Sequence, residues 1–321
     1  MIYILNTLAP IFLMIALGWV LRRKGFADEA FFKSANKLVY WVGLPALLFI
    51  KTSSTEPPGS TAFKLMTTML VSLTAVMVIG YGLCLIFGVR QVSRGALVQA
   101  AFRGNLAYIG LPVILLAFQN VPNLTGERMA QIESLTMLAL APTIPAYNIL
   151  AVIVLLAGSH EPGSKLSERL LNVLKNLLTN PLILACVAGI GWSFVGWKMP
   201  TFINRSCTGL GQMSLPLALL CIGASLKVSM LKGNTLYTGL SSFLKLVISP
   251  LIGYVIARWL GLGPEEMLVA MVLCTTPTAV ASYVLCEQLK GDHELGATII
   301  IVSTLLSLPA FSIILAIFGL T

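Results

Sequence analysis

Two apolar stretches of this chain carry polar side chains at membrane depth. The first, AFRGNLAYIGLPV, runs from Ala101 to Val113 and holds Arg103, Asn105, Gly110 and Pro112. The second, LCTTPTAVASYVL, runs from Leu273 to Leu285 and holds Thr275, Thr276, Pro277, Thr278 and Ser282. A guanidinium forks onto a carboxylate or phosphate, and amide and hydroxyl groups can complete the hydrogen bonds of such a ligand. The chemistry on offer is recognition of an anion. Glycine lets the backbone leave helical geometry cheaply, and proline suits the first turn of a new half-helix. Irregular backbone in lipid leaves N–H and C=O groups unpaired, so it persists only against protein or a wet cavity. Paired breaks in corresponding positions of two halves point to a transporter's substrate site. The bland alternative is a pair of kinked helices packed with small residues.

Arg103 and three further polar residues are the candidates to weigh. Arg103 sits beside a break that starts about nine residues, or ~14 Å, into its span, near the middle of a ~30 Å core. It could grip an anion, pair with a carbonyl or carboxylate as structure, or snorkel to the interface. Lys245 is about ten residues, ~15 Å, into another span, too deep for easy snorkelling. Ser241, Ser242 and Ser249 share its face by helical spacing. Lys245 could couple transport to a proton, serve as a fixed cation in place of a metal ion, or donate to backbone carbonyls of a broken helix. Asn148 could reach the same cavity or make an interhelical hydrogen bond. Glu287, beside Gln288, closes a span as a solvated cap or as a coupling group.

These residues must be positioned by membrane helices. The chain is 57% hydrophobic and 10% charged, with a mean hydropathy of +0.90, whereas soluble domains carry roughly 25% charged residues. The net charge of +9 is spread over short loops, which reads as a topology signal and not as a nucleic-acid surface. The six cysteines form no CxxC pair, and no cofactor or metal motif is evident. The first apolar segment lacks a basic leader and runs straight into Arg22, Arg23 and Lys24, as a retained helix would. Spans of about twenty residues fall near 3–21, 36–50, 63–87, 95–119, 129–156, 181–197, 207–226, 235–261, 264–287 and 295–320. The fifth, with Pro142 and Pro145, is expected to kink. Residues 157–180 contain SKLSERLLNVLKNLLTN, whose leucines share one face, so an interfacial amphipathic helix is expected there.

The halves, 1–156 and 181–321, echo one another. Pro45 matches Pro216, Ile79 matches Ile252, Pro112 matches Pro277 and Pro145 matches Pro309, at spacings of 164 to 173 residues. Five spans per half is an odd number, so the second repeat must insert upside down. Arg22, Arg23, Lys24, Lys33, Lys37, Arg90, Arg94, Lys165, Arg169, Lys175, Lys227, Lys232 and Lys290 fall on one set of loops. Lys51, Lys64, Arg128, Lys198, Arg205 and Arg258 fall on the other. The richer set belongs in the cytoplasm, which puts both termini outside the cell membrane.

The stretches NKLVYWVGLPALLF, AFRGNLAYIGLPV, PTIPAYNIL, TNPLILACVAGIGW, LPLALLCIGASL and TPTAVASYVLCEQLKGDHELGATIIIVSTLLSLPAF resemble the auxin efflux carrier family of membrane transport proteins. The resemblance covers nearly the whole chain. It implies an all-α polytopic fold of ten helices in two inverted five-helix repeats, with crossed, broken fourth and ninth helices. It also implies elevator-like movement of a transport domain against a scaffold, and a homodimer through spans two and seven. The long cytoplasmic loop of many plant members is absent from this sequence. The expected function is secondary transport of small organic anions such as malate, with membrane lipid and the anion as partners. A channel, or a sodium-coupled symporter of the same fold, is the alternative. An enzyme is not expected: there is no HExxH and no mid-span aspartate, and only a Ser/Lys arrangement around Lys245 has any catalytic likeness.

Overall fold

The computed structural model describes residues 2–53, 59–121, 124–158, 179, 181–195, 199–226, 231, 233–289 and 291–319. These are helical almost throughout, with no strand among them and one isolated antiparallel bridge, Gly104 to Thr278. Helix α1 (Ile2–Arg23) is followed by α2 (Glu29–Leu38), which passes through a π turn (Val39–Gly43) into α3 (Leu44–Ser53). Then come α4 (Ser60–Ile86), α5 (Gln91–Phe102), a second π turn (Leu106–Gly110), α6 (Leu111–Gln119) and α7 (Gly126–Gly158). The second half contains α8 (Pro181–Val195), α9 (Thr201–Ser225) and α10 (Thr235–Phe243), which passes through a third π turn (Leu244–Ile248) into α11 (Ser249–Trp259). It closes with α12 (Pro264–Thr275), α13 (Ala281–Gln288) and α14 (His293–Phe318). Among the described residues, six helical stretches are long and apolar enough to cross a bilayer: α1, α4, the Gly126–Leu155 part of α7, α9, the α10–α11 unit and α14.

The three π turns share one cause. Each ends two residues before a proline: Gly43 before Pro45, Gly110 before Pro112, Ile248 before Pro250. A proline ring clashes with the carbonyl four residues back and offers no N–H. The helix widens just ahead of it, so that the residue before the proline bonds five residues back: Leu44 to Val39, Leu111 to Leu106, Ser249 to Leu244. Such widenings recur at functional sites, and two of the three flank Arg103 and contain Lys245.

Some boundaries differ from the sequence-based expectation. The second helix starts at Glu29 because the Asp28 carboxylate accepts the Phe31 N–H at 2.7 Å, an N-cap that adds a polar turn before the apolar run. The ninth helix starts at Thr201, directly after Pro200. Helix α7 runs on through Pro142 and Pro145. The interfacial helix expected within 157–180 falls almost wholly on residues outside those described, 159–178 and 180.

Two groups of helices surround the breaks. In one, α1 packs on α9 and α3 on α8. The first pair touches through reciprocal glycines: a methyl on Gly18 would lie 2.8 Å from the Leu220 carbonyl carbon, and one on Gly223 would lie 2.7 Å from that of Ile15. Small residues allow this approach where lipid gives helices no hydrophobic incentive to associate. In the other group, α4, α7, α11 and α14 wrap α5 and α12. Every residue from Gly95 to Phe102 and from Met267 to Thr275 is buried. A helix that is apolar all round belongs in the interior, and these two form the centre of the molecule.

Candidate functional site

Helix α5 stops at Phe102 and α12 stops at Thr275, and the two broken ends cross. The Asn105 N–H donates to the Pro277 carbonyl at 2.7 Å, and the Ala279 N–H donates to the Arg103 carbonyl at 2.9 Å. These two bonds make the isolated bridge. They pair backbone groups that the breaks would otherwise leave unsatisfied at several kcal/mol. Side chains complete the accounting. Thr278 Oγ1 donates to the Ala100 carbonyl at 2.8 Å, and its N–H donates to Ser303 Oγ at 3.1 Å. Ser241 Oγ donates to the Leu97 carbonyl, and Gln99 Nε2 to the Ser282 carbonyl. Thr275 and Thr276 return their hydroxyls to Met271 and Leu273 within their own helix end. Lys245 Nζ donates to the Cys274 carbonyl at 2.9 Å.

On one side of the crossing lies a cavity of about 630 Å³, the size that takes a small organic molecule. Asn36 and Tyr40 of the α2 unit face Arg103, Gly104 and Asn105 across it, with Tyr147 and Asn148 of α7 between. Ala279 to Ala281 and Tyr283 of the second break complete this region, and Arg22, Glu29 and Lys33 stand at its edge. Glu29 is already engaged there by Arg22 at 2.9 Å and Lys33 at 3.2 Å. Arg103 is 8% exposed. One end of its fork donates to Asn148 Oδ1 at 2.7 Å, while the other, Nη1, is buried without a hydrogen-bond partner. No carboxylate lies within ion-pair distance of it among the described residues. A buried, unpaired guanidinium nitrogen is costly and is relieved by an anionic ligand.

The sequence-derived candidates therefore divide. Arg103, Asn105 and Asn148 line the cavity together. Gly110, Thr275, Thr276, Thr278, Ser282 and Pro112 are fully or almost fully buried and build the crossing behind it; Pro277 accepts the Asn105 bond. Lys245 is 0% exposed and lies on the far side of Gly104 from the cavity, against the end of α12. Glu287 is exposed in the last turn of α13 and does not itself line the cavity, though it lies beside Tyr283, which does. Several contributors were not singled out from sequence, Asn36 among them. Gln99 lies four residues before Arg103, one helical turn back, and could have been found by that spacing. Ser303 and Tyr40 sit in helices whose own periodicity gives no hint of what they face.

Comparison with known proteins places these features in a family. The model of the membrane transport protein family matches residues 3–315. An uncharacterized transporter of Methanocaldococcus jannaschii is 23% identical over 305 residues, covering 93% of each chain. A protein of Rhizobium meliloti named "Putative malonate transporter" is 25% identical over 301 residues, covering 93% of this chain and 90% of its own. A rice protein named "Probable auxin efflux carrier component 5c" is 26% identical over 160 residues, covering 44% of this chain and 40% of its own. The match across nearly the full length, on a helical chain with several membrane-crossing helices, means that this multi-pass membrane protein belongs to the membrane transport protein family that includes the auxin efflux carriers.

Proposed function

We propose that the protein is a secondary carrier of small organic anions, binding the carboxylate of its substrate at Arg103 where the two broken helices cross. The observation that carries this reading is the guanidinium itself: deep, tied on one side to Asn148, without a hydrogen-bond partner on the other, and part of the lining of a cavity of substrate size. Asn105 and Asn148 supply neutral polar groups beside it. The relative named for malonate adds a hint toward carboxylates. Purified protein in liposomes preloaded with malonate or malate is expected to exchange the same labelled anion, with competition by other small carboxylates and none by amines or neutral sugars. Exchange of amines or inorganic cations with no carboxylate counterflow would remove the reading.

The same proposal groups the elements into ten crossings: α1, α2–α3, α4, α5–α6, α7, α8, α9, α10–α11, α12–α13 and α14. Residues 1–156 and 181–321 would be inverted repeats joined by the 157–180 linker. In support, first-repeat α1 packs on second-repeat α9, and second-repeat α8 packs on first-repeat α3, which is the same contact with the repeats exchanged. The ion pairs Arg90–Asp292 and Arg128–Glu265 each join loops that the basic-residue count puts on one side. With that orientation, both termini are outside the inner membrane and the cavity opens to the cytoplasm beside Arg22 and Lys33. Substrate would cross by elevator motion of the helices carrying the crossing against α1, α2–α3, α8 and α9, a scaffold that would also dimerise.

An ion pair between the two groups bears on this motion. Lys51, at the end of α3, meets Glu133 of α7, and the Ser134 hydroxyl donates to the Lys51 carbonyl at 3.2 Å. Both lie at the end of the molecule opposite the cavity mouth. The pair would hold the cavity-open state and must part in the other. Lys51→Gln is expected to lower labelling of a cysteine placed at Asn36 by a membrane-impermeant maleimide, by about two- to fivefold as a partly exposed ion pair allows. The Lys51→Glu, Glu133→Lys exchange should restore it. Unchanged labelling in Lys51→Gln would disconnect the pair from the motion.

A further inference from the structure

We propose that the Lys245 ammonium is a tethered cation that occupies an ion position at the helix crossing, and that shortening this side chain turns the position into a binding site for a soluble monovalent cation. The inference concerns the crossing's own electrostatics and does not rest on which anion is carried.

The geometry is specific. Helices α5 and α12 both point their C-terminal ends at the crossing, from Phe102 and from Thr275. A helix C-terminus carries roughly half a negative elementary charge in its unpaired carbonyls. Two of them converging inside a membrane protein make at most about one unit of negative charge, reduced by the N-terminal ends of Leu106–Gln119 and Ala281–Gln288 that start beside the same crossing, and in a medium of low dielectric the remainder must be neutralised. Lys245 supplies one positive charge at that place. Its Nζ is 2.9 Å from the Cys274 carbonyl, in the last turn of α12. A methyl built on Gly104, just beyond the end of α5, would lie 3.2 Å from the same nitrogen. The ammonium thus bonds one break and lies beside the other.

Three observations separate this from an ordinary structural lysine. The residue is 0% exposed, and no carboxylate lies within 4 Å of it among the described residues, so helix ends are its counter-charge. It sits in the π turn Leu244–Ile248, which Pro250 imposes. The group it binds is an oxygen ligand of the sort that holds hard cations, the Cys274 carbonyl, and the Thr276 hydroxyl lies against the same glycine, Gly104. Unwound backbone carbonyls and half-helix C-termini coordinate the coupling cation in carriers with discontinuous helices. Here a covalently attached ammonium has that position.

The consequence is that the intact protein needs no inorganic cation at the crossing. The test is thermal unfolding of the full-length purified protein, which requires no substrate. Wild-type melting temperature should be the same in sodium, potassium and choline chloride. Lys245→Ala should melt at least ~3 °C lower in choline chloride and rise saturably toward wild type with n-propylammonium, the fragment that truncation removes. The neutral isostere 1-propanol should not raise it, and propylammonium should leave the wild type unmoved. Lys245→Met, which fills the space without the charge, should stay low in every salt. Equal recovery by 1-propanol, or no recovery by any monovalent cation in a monodisperse Lys245→Ala protein, would overturn the proposal. Should Lys245→Ala not survive purification, the wild-type arm decides by itself. A wild type stabilised saturably by sodium over choline, or exchanging substrate only in sodium, has its ion position open and contradicts a lysine filling it; indifference to sodium in both readouts supports the tethered cation.

Discussion

Arg103→Ala is expected to reduce anion exchange by about thirty- to several-thousand-fold, the ~2–5 kcal/mol that follows truncating one partner of a buried charge pair. The fold should survive. The Arg103 side chain has one hydrogen bond to protein, from Nη2 to Asn148 Oδ1, whereas the crossing is held by backbone atoms of Arg103, Asn105, Pro277 and Ala279 that alanine retains. Monodispersity and melting temperature should therefore stay near wild type while exchange disappears. Arg103→Lys separates charge from geometry. A lysine keeps the charge but has no fork to hold Asn148 and a carboxylate together, so exchange should fall between wild type and alanine. Asn105→Ala should also abolish exchange, because its backbone bonds persist and only the cavity-lining amide is lost. Wild-type exchange in Arg103→Ala would move the anion site elsewhere.

The sequence made the two breaks legible because glycine, proline and polar residues cluster there within membrane-length runs. It could not say which polar residue faces the cavity. Helical periodicity sorts faces only when one face is solvent or lipid, and α5 and α12 are buried all round. Thr275, Thr276, Thr278 and Ser282 therefore looked equivalent to Asn105 as ligands, though they lie in the core of the crossing. The π turns were hidden for a different reason. Each proline was visible, but the widening depends on the helix continuing past it, as at Pro45, Pro112 and Pro250, whereas the chain breaks outright at Pro277. The depth of Lys245 was readable by counting residues; its partner, a carbonyl 29 positions away on another helix, was not.

The crossing should be the least tolerant place in the molecule for added volume, and Gly110→Ala measures this. Glycine is required there by close approach, since a methyl on Gly110 would lie 2.7 Å from Thr276 Cγ2 and 3.1 Å from Leu273 Cδ2. Overpacking of this kind costs ~1–3 kcal/mol. If the two breaks part to make room, the bonds from Asn105 to Pro277 and from Ala279 to Arg103 are strained as well, at about 1 kcal/mol each. Gly110→Ala is thus expected to lose roughly 2–5 kcal/mol of stability and most of its exchange. Gly82→Ala is the control: it lies in α4, nothing comes within 4 Å of the added methyl, and the change should be neutral or slightly stabilising. The obstacle can be named to a single atom group, so it can also be removed. Thr276→Ser deletes the Cγ2 methyl and keeps the hydroxyl that donates to the Leu273 carbonyl at 2.8 Å. Paired with Gly110→Ala it should recover at least ~1 kcal/mol beyond the sum of the single changes, the coupling expected of residues in contact. Strict additivity of the two substitutions in the melting temperature would mean that Gly110 and Thr276 do not meet, and that the broken helices do not cross at this point.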